Sequence, residues 1–261
     1  MNFGVLGSLS MDHNGICYLP TAQKQRQLLA LLLLNANRFV PTEKCIKELW
    51  DDAPPRTVIP TLHTYALQLR RRLAESPSVG SLAAAHETLV TCKGGYRLVV
   101  GDDSLDLIEF ERLTRAARDA ACHHDRVKIA DILRQALMLR RGRALSDIEP
   151  GPCLRPQIER LEEEQISLME QLYDAELGLG RHRTILGELN AAAAEYPFNE
   201  HIQEQYMLAL YRSGRQARAL ATFQQLRKTL NEELGLEPAQ SVRQLHEAII
   251  TADPGLELEA C

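Results

Sequence analysis

The stretch Pro54–Leu73, PPRTVIPTLHTYALQLRRRL, constrains the fold more than any other part of this 261-residue chain. It reads as a turn followed by a helix with two faces. Leu62, Ala66, Leu69 and Leu73 recur at helical spacing and form an apolar stripe. Thr61, His63, Thr64, Gln68 and Arg71 fall on the other sides, and the helix ends in Arg70, Arg71 and Arg72. It is too polar for all-round burial, and its polar groups suit base edges and phosphates. A solvated surface helix with a basic end would show the same pattern, so the flanking segments decide.

Upstream, Phe3–Met11 reads as an edge strand, Asp12-His13-Asn14-Gly15 as a hairpin turn, and Ile16–Leu19 as the returning strand. Gln23–Ala36 is a strong helix whose buried face is Leu28, Leu29, Leu31, Leu32 and Leu33. Lys24 and Arg26 near its start oppose the helix dipole, as either a phosphate contact or a solvated charge would allow. Asn37–Pro41 reads as a loop. Thr42–Cys45 has the look of a helix start, with Ile46, Leu49 and Trp50 as the apolar side of the helix. The proline-rich turn Asp51–Pro55 then leads into the two-faced helix. Helix, turn, helix in that order is the arrangement that places a second helix in a major groove. Downstream, Leu89–Cys92 and Tyr96–Val100 are β-rich and flank Lys93-Gly94-Gly95, a tight-hairpin sequence. With Lys93 at its tip and Arg97 at its base, that hairpin is a wing able to reach a minor groove or its phosphates.

The net charge of −5 argues weakly against nucleic acid, but it is unevenly spread. Residues 1–103 carry eleven Lys and Arg against nine Asp and Glu; the remainder carries nineteen against twenty-six. A mildly basic N-terminal domain is thus masked by an acidic C-terminal one. The six cysteines, Cys17, Cys45, Cys92, Cys122, Cys153 and Cys261, make no Cys-x-x-Cys pair and fit no zinc spacing, which predicts reduced thiols. There is no signal peptide pattern and no apolar run long enough for a membrane span, so a cytoplasmic protein with no membrane partner is expected.

Beyond Asp102–Ser104 the β signals vanish. Leu105–Ala121, Ile129–Leu139 and Ile158–Leu179 read as amphipathic helices, with 142–156 loop-like between the last two. Gly180-Arg181 and Gly214-Arg215 then stand 34 residues apart. At the same offset Leu186 matches Leu220, Leu189 matches Phe223 and Ala192 matches Leu226, with Pro197 seventeen residues after Gly180. A 34-residue helix–turn–helix period is the tetratricopeptide signature. Ser241–Ile250 reads as a capping helix. The expected division is 1–103, 104–252 and a disordered tail at 253–261.

Several of these segments together carry a family resemblance: Arg26–Leu33, Leu49-Trp50 with Pro54-Pro55-Arg56, Thr61-Leu62 with Tyr65, Leu69-Arg70-Arg71 and Gly94–Leu98. Residues 1–103 resemble an OmpR/PhoB-type winged-helix DNA-binding domain. More specifically, the chain is similar to the Streptomyces antibiotic regulatory proteins, or SARPs. The second half resembles their bacterial transcriptional activation domain, through Phe110, Leu113, the Gly-Arg units and Leu234–Pro238. The fold implied is an α+β winged helix-turn-helix domain followed by an all-α, tetratricopeptide-like domain.

The function implied is a pathway-specific transcriptional activator for a secondary-metabolite gene cluster. It would bind direct repeats in double-stranded DNA, self-associate there and recruit RNA polymerase holoenzyme on the nucleoid. In that resemblance the helix Thr57–Leu73 enters the major groove, with Arg70 and Arg71 contacting phosphates or bases; Thr61, His63, Thr64, Gln68 and Arg72 on the same helix, with Lys93 and Arg97 on the wing, complete the expected DNA-contact set. Arg26, Trp50 and Tyr96 match positions touching the DNA backbone. The loop of Trp50, Asp51, Asp52, Pro54, Pro55 and Arg56 corresponds to the segment facing the polymerase. The chain departs from the family pattern at Leu67, where a small polar residue is common, and at Gln68, where arginine is common.

No catalytic constellation accompanies these features: there is no Gly-x-x-x-x-Gly-Lys and no Gly-x-Ser-x-Gly. His123-His124 reads as a solvated pair in a turn rather than a metal site. No enzyme activity, cofactor, metal, receiver domain or ATPase module is expected. The rival reading is a tetratricopeptide-type protein- or ligand-binding adaptor whose winged helix does not bind DNA. Convergence of Arg26, Arg70–Arg72, Lys93 and Arg97 on one surface favours DNA; their capture in internal salt bridges favours the adaptor.

Overall fold

The computed structural model describes residues 1–123 and 125–257. The chain divides into two compact units, Met1–Arg115 with Gln135–Ile166, and Ala116–Arg134 with Ser167–Cys261.

The first unit begins with an antiparallel sheet of β1 (Asn2–Gly4), β2 (Ser10–His13) and β3 (Ile16–Cys17). Asn14 and Gly15 both take positive φ in the β2–β3 turn, as an Asn-Gly hairpin requires. The single strand expected over Phe3–Met11 is two strands, because the chain doubles back between them. Its backbone donors there are met by carboxylates from far along the sequence. Asp106 accepts from Val5 N at 2.9 Å and Leu6 N at 3.1 Å, and Asp147 accepts from Leu9 N at 2.7 Å.

Helices α1 (Gln23–Leu34), α2 (Thr42–Trp50) and α3 (Val58–Glu75) follow, and the five leucines expected on α1 are all buried. Pro60 is the third residue of α3, where a missing N–H costs nothing because that donor lacks an intrahelical partner anyway. A short helix that the sequence did not reveal, α4 (Leu82–Thr88), is capped by the Ser81 hydroxyl, which accepts from Ala84 N at 3.1 Å.

The wing is β5 (Leu89–Cys92) paired antiparallel with β6 (Gly95–Leu98). Part of the expected loop at Asn37–Pro41 is a third strand, β4 (Val40–Pro41), which pairs with β6 in a sheet of order β4-β6-β5. Gly95 is required at this junction, since a Cβ would run into the Val40 carbonyl and the Phe39 ring.

Helices α5 (Asp106–Cys122) and α6 (Arg126–Met138) come next, and the first unit also takes in residues 135–166, which the sequence assigns to the second domain. Glu48 on α2 is the anchor. Its carboxylate is buried, 2% exposed, and accepts from Gly151 N, Cys153 N and Leu154 N at 2.7, 2.8 and 2.9 Å, and from Gln27 Nε2 at 2.9 Å. The three backbone donors immediately precede α7 (Arg155–Gly178), so a carboxylate meets the electropositive start of a helix. Arg140, itself buried, pairs with Glu162 at 2.6 Å and holds the other end of the same loop.

The second unit holds the tetratricopeptide-like helices α8 (Leu186–Glu195), α9 (Glu200–Arg212), α10 (Gln216–Leu234) and α11 (Gln240–Thr251). The repeat reads through to conformation. Gly180 and Gly214 have the same φ of +74°, and the offset pairs Leu189/Phe223 and Ala192/Leu226 are all buried. Of the expected disordered tail, Pro254–Leu256 forms a single 3-10 turn tied down by Arg212 Nε, which donates to Leu256 O at 2.8 Å. Residues 258–261, with Cys261, lie outside the described residues, as does His124. His123 is exposed, and its Nδ1 lies 2.9 Å from the Asp119 carbonyl one turn back. The five described cysteines are free thiols. No helix among the described residues is long and apolar enough to cross a membrane.

Candidate nucleic-acid interface

Helix α3 buries Leu62, Ala66, Leu69 and Leu73 against the rest of its unit. Its opposite side carries a single i, i+4 row of Ile59, His63, Leu67 and Arg71, flanked by Pro60, Thr64 and Gln68. Ile59, Pro60, His63, Thr64 and Arg71 are exposed, while Leu67 and Gln68 are half-buried. Glu75, exposed and four residues after Arg71, ends that row, with its carboxylate paired to Arg72. From Ala53 to Gly101 the only acidic residues are Glu75 and Glu87, against Arg56, Arg70, Arg71, Arg72, Lys93 and Arg97.

The polar side chains of α3 are partly committed. Thr61 Oγ1 and Thr64 Oγ1 donate to the Thr57 and Pro60 carbonyls at 2.8 and 2.9 Å. Gln68 Oε1 accepts from Gln25 Nε2 of α1 at 2.6 Å. Arg72 pairs with Glu75 at 3.0 Å. His63 and Arg71 hold no hydrogen bond or ion pair among the described residues, and both point to solvent.

On the wing, the β5–β6 register places Arg97 opposite Val90 on the outer face, away from the buried Leu89, Tyr96 and Leu98. Lys93 is exposed at the tip, where Gly94 supplies the positive φ of the turn.

Three of the expected DNA-contact residues are buried or bound within the protein. Arg70 is only 6% exposed; its Nε and guanidinium NH₂ donate to the Leu89 carbonyl at 2.9 and 2.6 Å, and the same NH₂ donates to Thr91 Oγ1. It ties α3 to the wing, and burial pushes its guanidinium pKa down. Tyr96 is 2% exposed and faces the core, and burial raises its phenol above the ordinary range. Arg26 is ion-paired with Asp147, in the segment that Glu48 also anchors. The acidic residue that captures Arg26 was invisible in the sequence because it lies 121 positions away. Trp50, half-buried at the end of α2, stacks on Tyr65 of α3 with centroids 6.1 Å apart and 15° between planes.

The loop after α2 is turned sharply by Asp51, which has positive φ, and residues 51–57 are all exposed. Lys47 pairs with Asp51 at 2.6 Å and Asp52 at 2.7 Å, and these carboxylates push its ammonium pKa up. Pro54, Pro55 and Arg56 complete the loop.

Residues 19–98 match the family model described as "Transcriptional regulatory protein, C terminal", and residues 105–250 match "Bacterial transcriptional activator domain". The regulatory protein DnrI of Streptomyces peucetius is 40% identical over 98% of this chain and 94% of its own length. This chain belongs to the SARP family of transcriptional regulators. It is 37% identical to the regulatory protein AfsR of Streptomyces coelicolor over its whole length, but that match spans only 25% of the relative. A solved structure of Mycobacterium tuberculosis EmbR in complex with a low affinity phosphopeptide superposes with a TM-score of 0.86 at 31% identity, covering 97% of this SARP chain and 65% of that one. The winged-helix region followed by a helical region, expected from the sequence, is the architecture observed.

Proposed function

We propose that this SARP is a sequence-specific DNA-binding activator of a secondary-metabolite gene cluster. It acts on the nucleoid, where protomers bind direct repeats and associate with one another. In this reading α3 enters the major groove and the wing lies over adjacent phosphates. The observation that carries it is the outward face of α3 and the wing, where Arg71, Lys93 and Arg97 are exposed and hold no ion pair among the described residues. Thr61, His63, Thr64, Gln68 and Arg72 belong to the same helix and complete the contact.

The exposed loop of Asp51, Asp52, Pro54, Pro55 and Arg56, braced by Trp50, is the polymerase-facing segment, and the helical region from residue 104 onward supplies the activation domain. Recruitment needs little contact energy, since about 1.4 kcal/mol already gives a tenfold change in occupancy.

The test is an electrophoretic shift of the protein on the promoter regions flanking its own gene, at two salt concentrations and with unrelated competitor DNA. A specific complex that weakens steeply with salt is expected. Folded protein that gives no specific shift would replace the activator by an adaptor working through the helical unit.

A further inference from the structure

The row Ile59–His63–Leu67–Arg71 is unusual for a helix meant to read polar base edges. Ile59 is 42% exposed and Leu67 is half-buried at the centre of the outward face, and neither packs into the core. The hydrogen-bonding groups beside them are partly engaged, Thr64 donating to the Pro60 carbonyl and Gln68 Oε1 accepting from Gln25 Nε2, which leaves the Gln68 amide NH₂ and the Thr64 oxygen lone pairs for a partner. What remains free for a partner on this row is two aliphatic side chains, one imidazole and one guanidinium.

The surroundings indicate what covers them. The only carboxylate on the row is Glu75 at its end, which Arg72 pairs, and the exposed cations nearby are Arg71 on the row itself and Lys93 and Arg97 on the wing that Arg70 ties to α3. An apolar row framed by positive charge is complementary to a major groove, with phosphates on both rims and thymine methyl groups on its floor.

We infer that this SARP reads thymines by methyl contact, with Leu67 and Ile59 each covering a thymine C5-methyl group while Arg71 and His63 make the polar contacts. The inference rests on the DNA-binding reading above and adds the base class that is read. Eight residues of helix separate the two aliphatic side chains by about 12 Å, which places both thymines within one major-groove segment. Losing one buried methyl corresponds to about a fourfold loss of affinity.

The experiment selects the preferred duplex of the full-length protein from a random-sequence pool, then replaces each thymine in turn by deoxyuridine. That change removes only the C5-methyl and keeps the base pair. Fluorescence anisotropy is expected to show about fourfold weaker binding at each of two thymines. Leu67→Ala and Ile59→Ala should each abolish the penalty at one of them. Ile59 is exposed, so its variant keeps the fold if Leu67→Ala does not.

If every uracil duplex binds within error of its thymine parent while selection stays specific, the inference is overturned and the apolar row is left to a protein partner. A full methyl penalty retained in both variants would also overturn it. Selection of no duplex at all would remove the DNA-binding reading, and the thymine contact with it.

Discussion

Replacing Glu48 should loosen the joint between α2 and the loop before α7. In Glu48→Ala four donors lose their acceptor: the backbone N–H groups of Gly151, Cys153 and Leu154, and one bond from Gln27, which keeps its bond to the Glu48 carbonyl at 2.9 Å. Hydrogen bonds to a charged group are worth roughly 1.5–3 kcal/mol each, and a buried donor left unmet costs about 1–3 kcal/mol. Gly151 and Cys153 are half-buried, so water takes up much of their loss, whereas Leu154 is buried. The sum is about 3–5 kcal/mol, a large share of the roughly 5–15 kcal/mol that holds a protein folded. Glu48→Gln keeps an acceptor but points an amide NH₂ at other donors, and should cost about 2 kcal/mol. Urea unfolding followed by the fluorescence of Trp50, the chain's sole tryptophan, reports on this unit directly. Amide exchange at Cys153 and Leu154 should accelerate in step. A Glu48→Ala protein within about 1 kcal/mol of the parent, with those two amides still protected, would refute the reasoning.

Other consequences follow from the same geometry. Arg71→Ala should cost roughly 1–3 kcal/mol of DNA affinity if the guanidinium reads a base, with unchanged thermal stability, as checked by anisotropy and calorimetry. Arg70→Ala should do the reverse: loss of its three bonds to Leu89 and Thr91 lowers folding stability by about 2–3 kcal/mol, and any effect on DNA comes through a loosened wing. Gly151→Ala should destabilise the first unit strongly, because the new Cβ would strike the Glu48 backbone carbonyl, and thermal melting will show it.

In the second unit, the hydrogen bond to Asp174 holds His201 protonated above its ordinary pKa of 6.5. Burial pushes Asp174 up, but its bonds from His201 and Gln205 hold it below 3.8. The His201 contribution is full below pH 6.5 and is lost as pH rises through the raised value. The Asp174 contribution is present above pH 3.8 and is lost as pH falls through the depressed one. The pair therefore helps most between about pH 4 and 6.5, by a few tenths of a kcal/mol for two largely exposed groups. Asp174→Asn should lower the His201 titration midpoint seen by NMR.

The elements legible in the sequence are those with a strong local period. The apolar stripes of α1 and α3, the Gly-centred wing and the 34-residue repeat each write their geometry into neighbouring residues. Strand β4 is only Val40 and Pro41, and its partner Tyr96 lies beyond three helices, so no local pattern marks it. Helix α4 is seven residues with three consecutive alanines, too short for a periodic face.

Among the site residues, Arg70 and Arg71 are adjacent letters, yet a 100° step turns one into the wing and the other into solvent. Glu48 was readable in principle, since it shares the buried stripe of α2 with Cys45 and Leu49. A carboxylate on such a stripe demands partners, but nothing local names the loop at 151–154 that supplies them. Arg26 is the converse: its charge was legible and its captor was not.

The central claim is that α3 and the wing grip DNA through their free cations, and the salt dependence of binding tests it most directly. Each phosphate contact contributes about −0.9 to the slope of log affinity against log salt. Removing Lys93 and Arg97 together should make that slope shallower by about 1 to 2 while leaving the fold intact. A slope identical to the parent protein's, on the same duplex, would contradict the account.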